Sequence, residues 1–513
     1  MSVSRACVAI VGGGSVAVSF LYQLIDALPE GAPLSVALFE PAADVGPGTA
    51  YQADAASNLL NIPVSRMSAV CRDPDSFLAW LRQREPAFLA GMGVRRIDPG
   101  DFVPRPVFGL YLRDLYEAAL ARAAARGIPV TRHAERVVGV WPQAGGGAAV
   151  LGERGTHLRA DRVVLCNGNL PSVAFPRLAA LPGYFNSPYP VAGMTGKIGQ
   201  DDAVCIIGTS LSAIDAIAAL QASGHRGPIH CVSRNGRLPA VRSPHNKSLR
   251  LPMLPEPEAD GRVTLDGLLD SLRRALREAG GIEEPNDILG VPGPAAQALD
   301  AEIARSQAGP RPWQAVAAAT NDRIEHIWHA LDDAQRNRFH RDWRTLWMAR
   351  RATFPMRNAL TLQTLLHEGR LHVHGGFRDV RFEAVRNGFV IQAAPGELRA
   401  PWVINATSFS LDVASTADAL VRQLCEDGIA RAHGLGGFDL DFDTGCLLDT
   451  HGRRVDAVSV LGSLAAGTYF WTTSMEVNAR LAAGQARQLA ERFGATAHSL
   501  DGARVPDVDA HRT

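Results

Sequence analysis

Val8-Ala9-Ile10-Val11-Gly12-Gly13-Gly14-Ser15-Val16-Ala17 runs apolar for four residues and then stops on three glycines. Phe20, Leu21, Leu24, Ile25 and Leu28 follow at three- and four-residue spacing. The pattern predicts a buried strand, a tight turn and a helix that begins at Ser15. Gly12, Gly14 and Ala17 keep the G-x-G-x-x-G/A spacing of a dinucleotide-binding turn. Gly12 lets the chain turn sharply, Gly14 lets the backbone approach a pyrophosphate, and Ala17 lets the helix pack on the strand. The free N–H groups and dipole of the helix start would hold the phosphates. Leu34-Ser35-Val36-Ala37-Leu38-Phe39-Glu40 is the predicted second strand, and it ends in an acid. Glu40, 26 residues beyond Gly14, suits an acceptor for ribose hydroxyls.

The chain has 513 residues, enough for two or three domains with ample core. Its 52 basic and 52 acidic side chains balance, which argues against nucleic acid or a membrane surface as partner. With a strand at residue 8 no secretory signal is expected, and no apolar run is long enough to span a membrane. The seven cysteines are scattered and never spaced C-x-x-C, so a local redox dithiol and a cysteine zinc knuckle are excluded. Buried inert thiols in a reducing cytoplasm are expected.

The opening pattern recurs. Ala203-Val204-Cys205-Ile206-Ile207-Gly208-Thr209-Ser210-Leu211-Ser212-Ala213-Ile214-Asp215 is again strand, turn and helix. Gly208 keeps the first glycine, Ser210 replaces the second and Ala213 the third. The next strand, Pro228-Ile229-His230-Cys231-Val232, ends in Ser233-Arg234-Asn235-Gly236-Arg237 instead of an acid. Ser233, Arg234 and Arg237 suit a 2′-phosphate, which favours NADPH over NADH; a merely solvated basic strand end is the alternative. Between the two patterns, short strands are expected over 129–165, closed by Arg162 to Leu165 and the Asn167-Gly168 turn.

Helices are predicted at 77–83 and 111–126, with an extended stretch at 101–106. A helical insertion is predicted at about 253–358, with helices at 265–279, 294–307, 312–331 and 332–348. It follows a Pro- and acid-rich linker at 252–258 and carries Trp313, Trp328, Trp343 and Trp347, side chains more often core than pocket wall. Strands resume at 371–374 and 389–392. Pro401 to Ser408, including Thr407, closes them much as 162–169 closes the first set. A strand from Val458, a small-residue turn containing Gly467 and a last helix over 476–493 end the ordered chain.

The paired folds resemble two-nucleotide flavoproteins. The implied class is α/β, with two Rossmann-like domains, the second inserted in the first. The implied division is an FAD-binding domain at 1–190 plus 400–495, an NADPH-binding domain at 191–399 and a disordered tail at 496–513. Gly46-Pro47-Gly48-Thr49-Ala50-Tyr51, Asn58-Leu59-Leu60-Asn61-Ile62-Pro63, Met67-Ser68-Ala69 and Pro104-Arg105 before Tyr111-Leu112 resemble a bacterial FAD/NAD(P)-binding family. Ser187-Pro188-Tyr189 and Ser212-Ala213-Ile214-Asp215 are similar to elements of flavin-dependent N-hydroxylating monooxygenases, including those acting on aspartate. The resemblance implies FAD held by Gly12, Gly14, Ser15, Glu40, Tyr51, Asn58, Leu59, Asn61, Met67, Gly168, Thr407 and Gly467. It implies NADPH held by Gly208, Ser210, Leu211, Ser212, Ser233, Arg234 and Arg237.

The implied reaction is hydroxylation of a small amine or amino acid by O2 through a C4a-hydroperoxyflavin, with most of the chemistry carried by the flavin. No acid–base dyad is required, and no catalytic residue is assigned. Backbone N–H groups at 58–61 and near Thr472-Thr473-Ser474 would polarise the ring. A substrate carboxylate needs a cation, for which Arg66, Arg242, Arg350 and Arg351 are candidates, with His245 as a donor and Glu476 for the amine. A pyridine nucleotide–disulfide reductase is excluded by the missing dithiol. An NADPH-dependent reductase serving a quinone or protein, and a flavin-binding protein without turnover, remain alternatives. Uneven helical insertions often build interfaces, so a homo-oligomer is a further expectation.

Overall fold

The computed structural model describes residues 5–251, 261–394 and 396–501, the last eight as backbone only. The 252–258 linker lies outside the described residues, as do 502–513 of the expected tail.

Ala6–Val11 is the central strand of a six-stranded sheet. Leu34–Phe39 and then Val130–His133 lie on one side of it. Arg162–Leu165, Arg454–Val460 and Cys446–Leu448 lie on the other. All neighbours run parallel except the last pair. Val8 and Ile10 face a layer of helices, whereas Ala9 and Val11 face the opposite core with Val163, Leu165 and Val458. Both faces are covered, so the strand reads as a continuous apolar run instead of an alternating one. The helix Ser15–Ala27 packs beside Arg105–Ala125 and Met475–Asp501, and Gln23 Nε2 donates to the Ala479 carbonyl at 3.0 Å. The last strand and helix of the chain thus return to the fold that the first ones begin. An antiparallel three-stranded sheet, Val137–Pro142, Ala148–Gly152 and His157–Ala160, fills the connection between Val130–His133 and Arg162–Leu165.

A second parallel sheet runs in the order Leu371–His374, Ile229–Val232, Val204–Ile207, Trp402–Asn405, Tyr184–Phe185. It reaches past residues 191–399 at both ends, because Tyr184–Phe185 pairs with Trp402–Asn405. The helix Leu211–Ala222 packs on one face. A small antiparallel sheet of Asp379–Glu383, Gly388–Ala393 and Gly396–Ala400 covers the other.

Several elements differ from the sequence expectation. The helix expected from Tyr111 begins at Arg105, because Pro106 suits a first helical turn. The stretch 312–331 divides into Pro312–Ala319 and Ile324–Ala330 around a 3-10 turn at Thr320–Asp322. The stretch 332–348 breaks at Trp343 into Asp333–Asp342 and Arg344–Arg351. Met356–His367, at the end of the expected insertion, packs against Leu211–Ala222 and feeds Leu371–His374, so it is the crossover helix of the second sheet. The last helix continues to Asp501, past 495. All seven cysteines are free thiols. Among the described residues, no helix is long and apolar enough to cross a membrane, and no group of three or more His, Cys, Asp or Glu side chains could hold a metal ion.

Candidate functional site

The first glycine turn is shaped by close approach. Gly12 has φ +94°, and a Cβ there would lie 2.4 Å from the Cys166 carbonyl oxygen. Gly14 precedes Ser15 and caps the helix without a side chain. The nearest atom to a Cβ on Gly14 would be Gly48 Cα at 3.8 Å, and the Gly46 N–H donates to the Gly13 carbonyl at 2.7 Å. Two glycine-bearing turns therefore face one another across a gap bare of side chains. Glu40 accepts from the Gly13 and Ala42 N–H groups at 2.7 and 2.8 Å, which aims its carboxylate along the turn and leaves acceptor sites free.

Beyond the turn, polar atoms are buried without partners: Asn58 Oδ1, both amide atoms of Asn167, and the hydroxyls of Thr468, Thr472 and Ser474. Gly168, at φ +77°, follows Asn167, and Asn478 Nδ2 donates to the Thr472 carbonyl at 2.7 Å. Buried polar atoms are normally satisfied, so this set demands a ligand or water. Tyr51 packs edge-on to Phe108, and Leu59 pairs with Pro104. Met67 is buried in the first core with Val64 and Phe77. Gly467 sits under the His433 ring, and its carbonyl accepts from Trp328 Nε1 at 2.8 Å.

At the second turn, Gly208 has φ +129°, and a Cβ would lie 2.6 Å from the Ala406 carbonyl oxygen. Ser210 caps Leu211–Ala222 without a side-chain bond and is exposed, with Leu211 and Ser212 in the first turn. Ser233 Oγ accepts from Thr209 Oγ1 at 3.1 Å and from the Gly236 N–H at 3.0 Å. Arg234 and Arg237 are exposed. Thr407 bonds to Asn405 Oδ1 at the end of a second-sheet strand.

One polar chain ties the two folds together. Asp215, in the first helix of the second fold, pairs with Arg105 Nη2 at 2.8 Å and accepts from the Tyr189 hydroxyl. Arg105 Nε donates to the Leu59 carbonyl and its N–H to the Asn58 carbonyl. Asp54 accepts from Asn58 Nδ2 and from the Val191 and Ala192 N–H groups. Burial disfavours the Arg105 charge, but Asp215, Tyr189, Tyr51 and Asp54 outweigh it and hold its pKa above the ordinary value.

Four parts of the chain meet in an arginine cluster. Arg66 Nη2 lies 3.0 Å from both Glu476 oxygens. Asn321 donates to Glu476 at 3.0 Å and accepts from Arg351 Nη2 at 2.7 Å. Arg351 lies over the Trp471 ring, 5.4 Å from its centroid. Arg242 donates to the Asn61 carbonyl at 3.3 Å and lies over Phe102. The Nε atoms of Arg242 and Arg351 are buried without partners. Burial, then Arg242 and Arg66, pull the Arg351 guanidinium down to about 9; burial, then Arg66, pulls Arg242 to about 10. Guanidinium remains charged: Arg66 pairs with Glu476 directly, Arg351 reaches Glu476 through Asn321, Arg242 adds a third cation beside them, and Asp322 lies close enough to Arg66 and Glu476 to feel both charges.

Two candidates fall outside the cluster. Arg350 is locked to Glu302 at 2.7 Å in a buried network with Arg311, as a structural charge. His245 is exposed, and its N–H donates to Ser243 Oγ. Asn321 and Asn478 join the site without a sequence signal of their own, whereas Asn167 and Arg105 stood in stretches the sequence had marked without a role for their side chains. Trp313 and Trp328 are buried, as side chains of that kind usually are.

Residues 9–170 match the FAD-NAD(P)-binding family. A curated relative, the Escherichia coli (strain K12) protein named Uncharacterized protein YdhS, is 27% identical over 229 residues, which span 42% of this chain and 39% of that protein. The fold matches that of ornithine hydroxylase from Pseudomonas aeruginosa at TM-score 0.59 and 13% identity, covering 96% of this chain and 100% of that one. It matches L-lysine 6-monooxygenase from Pseudomonas syringae at TM-score 0.56 and 15% identity, over 95% and 99% of the two chains. The cadaverine monooxygenase of Erwinia amylovora gives 0.54 and 13%, over 96% of each chain. The chain thus shares the α/β fold of these proteins, with two Rossmann-type sheets.

Proposed function

We propose that this chain is an FAD-dependent, NADPH-using monooxygenase that N-hydroxylates a small amino acid of the aspartate type. The observation that carries this reading is the cluster in which Arg66 pairs with Glu476, Asn321 links Glu476 to Arg351, and Arg242 lies beside Arg66 and Arg351. The paired glycine turns at Gly14 and Gly48, and the unpartnered Asn58, Asn167, Thr472 and Ser474 atoms, fit FAD on the first fold. Gly208, the bare helix start at Ser210 and the Ser233, Arg234 and Arg237 loop fit NADPH on the second. These two cofactors supply the reducing equivalents and the activated oxygen.

The protein's own part is to bind, orient and exclude water. Arg351 and Arg242 take the substrate's carboxylates, where charge-assisted bonds relieve the buried excess of cations. Glu476, fixed by Arg66 and Asn321, would accept from the amine N–H and fix the position of the nitrogen within the cluster. Trp471 and Phe102 back the guanidiniums and keep water off them. The structural relatives are named for ornithine, lysine and cadaverine. A second ammonium on this protein's substrate would meet three guanidiniums and be repelled. The testing experiment is NADPH oxidation under air across acidic, neutral and basic amino acids, with hydroxylamine product quantified. Product from acidic amino acids supports the proposal. Rapid dye or quinone reduction with no N–O product overturns it in favour of a reductase.

A further inference from the structure

The turn after Ile229–Val232 does not end in solvent. Gly236, at φ +61°, is pinned against residue 375, where a Cβ would lie 2.7 Å from the Gly375 nitrogen, and Asn235 bridges to Gly375. Residues 235–239 then form one wall of a cavity of about 220 Å³. The facing wall is residues 289–293 of the helical insertion. Leu238, Leu289, Val291 and Pro292 give the cavity apolar sides. Its floor holds Glu302 and Arg350, bonded to each other at 2.7 Å, with Arg311 on Glu302 at 2.6 Å. Asp287 pairs with Arg311 as well, so two carboxylates meet two guanidiniums and the floor is neutral. Pockets for whole drug-sized ligands run to about 300–1,000 Å³, and this smaller volume suits a single neutral heteroaromatic base.

Three arginines belong to the segments that build the cavity. Arg237 lines it, and Arg234 lies two residues before the cavity-lining Gly236. Arg344 begins Arg344–Arg351, the helix whose Ala349 and Arg350 line the cavity and whose Ala349 carbonyl accepts from the Ala240 N–H at 2.9 Å; burial, then the Arg234 charge, holds its guanidinium below the ordinary range. A cation at a helix N-terminus also opposes the helix dipole. None of these three arginines makes a salt bridge to a carboxylate among the described residues. Two unfavourable placements and no counter-ion leave room for an anion between the insertion and the second fold.

We propose that the helical insertion completes the nucleotide site: the cavity between residues 235–239 and 289–293 seats the adenine ring, and Arg344 joins Arg234 and Arg237 in clamping the 2′-phosphate. The proposal rests on the reading of the second fold as the NADPH-binding one, and it gives the insertion a binding role. Selectivity for the phosphorylated cofactor then depends on a residue more than a hundred positions from the glycine turn. The insertion and the second fold become one unit when the cofactor is bound.

The test is calorimetric binding to the purified flavin-loaded protein, with NADP+, NAD+ and adenosine 2′,5′-bisphosphate as probes. Arg344→Ala should weaken NADP+ and the bisphosphate about tenfold, the equivalent of ~1.4 kcal/mol, and leave NAD+ unchanged. Arg344→Lys should retain most of the affinity. Val291→Trp, which fills the cavity from a loop, should weaken NADP+ and NAD+ alike. If Arg234→Ala weakens NADP+ while Arg344→Ala and Val291→Trp bind it as the parent does, the insertion has no part in the site and the inference falls alone. If the parent binds none of the probes, the reading of the second fold falls with it.

Discussion

At the scale of single residues, the arginine cluster separates side chains that bind from side chains that build. Arg350 and Arg351 are neighbours in sequence, yet one closes a buried ion network and the other bonds Asn321 and lies over Trp471 beside Arg66 and Arg242. Sequence chemistry selected both, because any arginine can hold a carboxylate; only packing tells them apart. Arg351→Ala should raise KM for an acidic amino acid by roughly 10- to 100-fold, as expected for a lost charge-assisted bond, with Arg351→Lys intermediate; steady-state kinetics under air measure it. Arg234→Ala should raise the NADPH requirement and leave NADH use little changed, and equal responses to both would contradict the cofactor assignment. Gly12→Ala forces a Cβ to within 2.4 Å of the Cys166 carbonyl at φ +94°. It should cost about 1–3 kcal/mol and lower FAD retention, read as melting temperature and flavin absorbance after gel filtration.

At the scale of elements, the glycine turns were legible because local backbone geometry constrains the residue type directly. The helix breaks at Thr320–Asp322 and Trp343 were not, since apolar spacing continues across them while tertiary packing turns the chain. The Arg105–Asp215 pair was equally hidden. Its partners lie 110 residues apart on different folds, and only the assembled helices bring them to 2.8 Å. Breaking one side leaves a buried charge alone, so Asp215→Ala should destabilise the protein by about 3–5 kcal/mol. The double variant Arg105→Met with Asp215→Leu should recover most of that loss, and denaturant melts of the four proteins measure the coupling.

His230, His372 and His374 stack on adjacent strands of the second sheet. Burial, then the other two rings, pulls His230 down to about 4. Its neutral form is thus favoured in the fold. The contribution is fully present above the ordinary histidine range and is lost as pH falls through about 4. Melting temperature should fall between pH 7 and pH 4, and His230→Phe should flatten that fall.

At the scale of the molecule, two glycine turns and two strand ends mark two Rossmann-type folds, and the sequence carried that much because each motif is local. What stands beside the two rings is a property of assembly. Arg66 comes from a loop of the first fold, Arg242 from the second, Arg351 and Asn321 from the insertion, and Glu476 from the last helix. On the proposed reading, that assembly gives the fold a site with a preference for anions. The most direct test is to trap the product formed by the flavin-loaded protein from NADPH, O2 and either L-aspartate or L-lysine. The account predicts an N-oxidised product from aspartate, in proportion to the NADPH consumed, and little from lysine. N-hydroxylation of lysine in preference to aspartate, or NADPH consumption with no nitrogen–oxygen product from either, would contradict it.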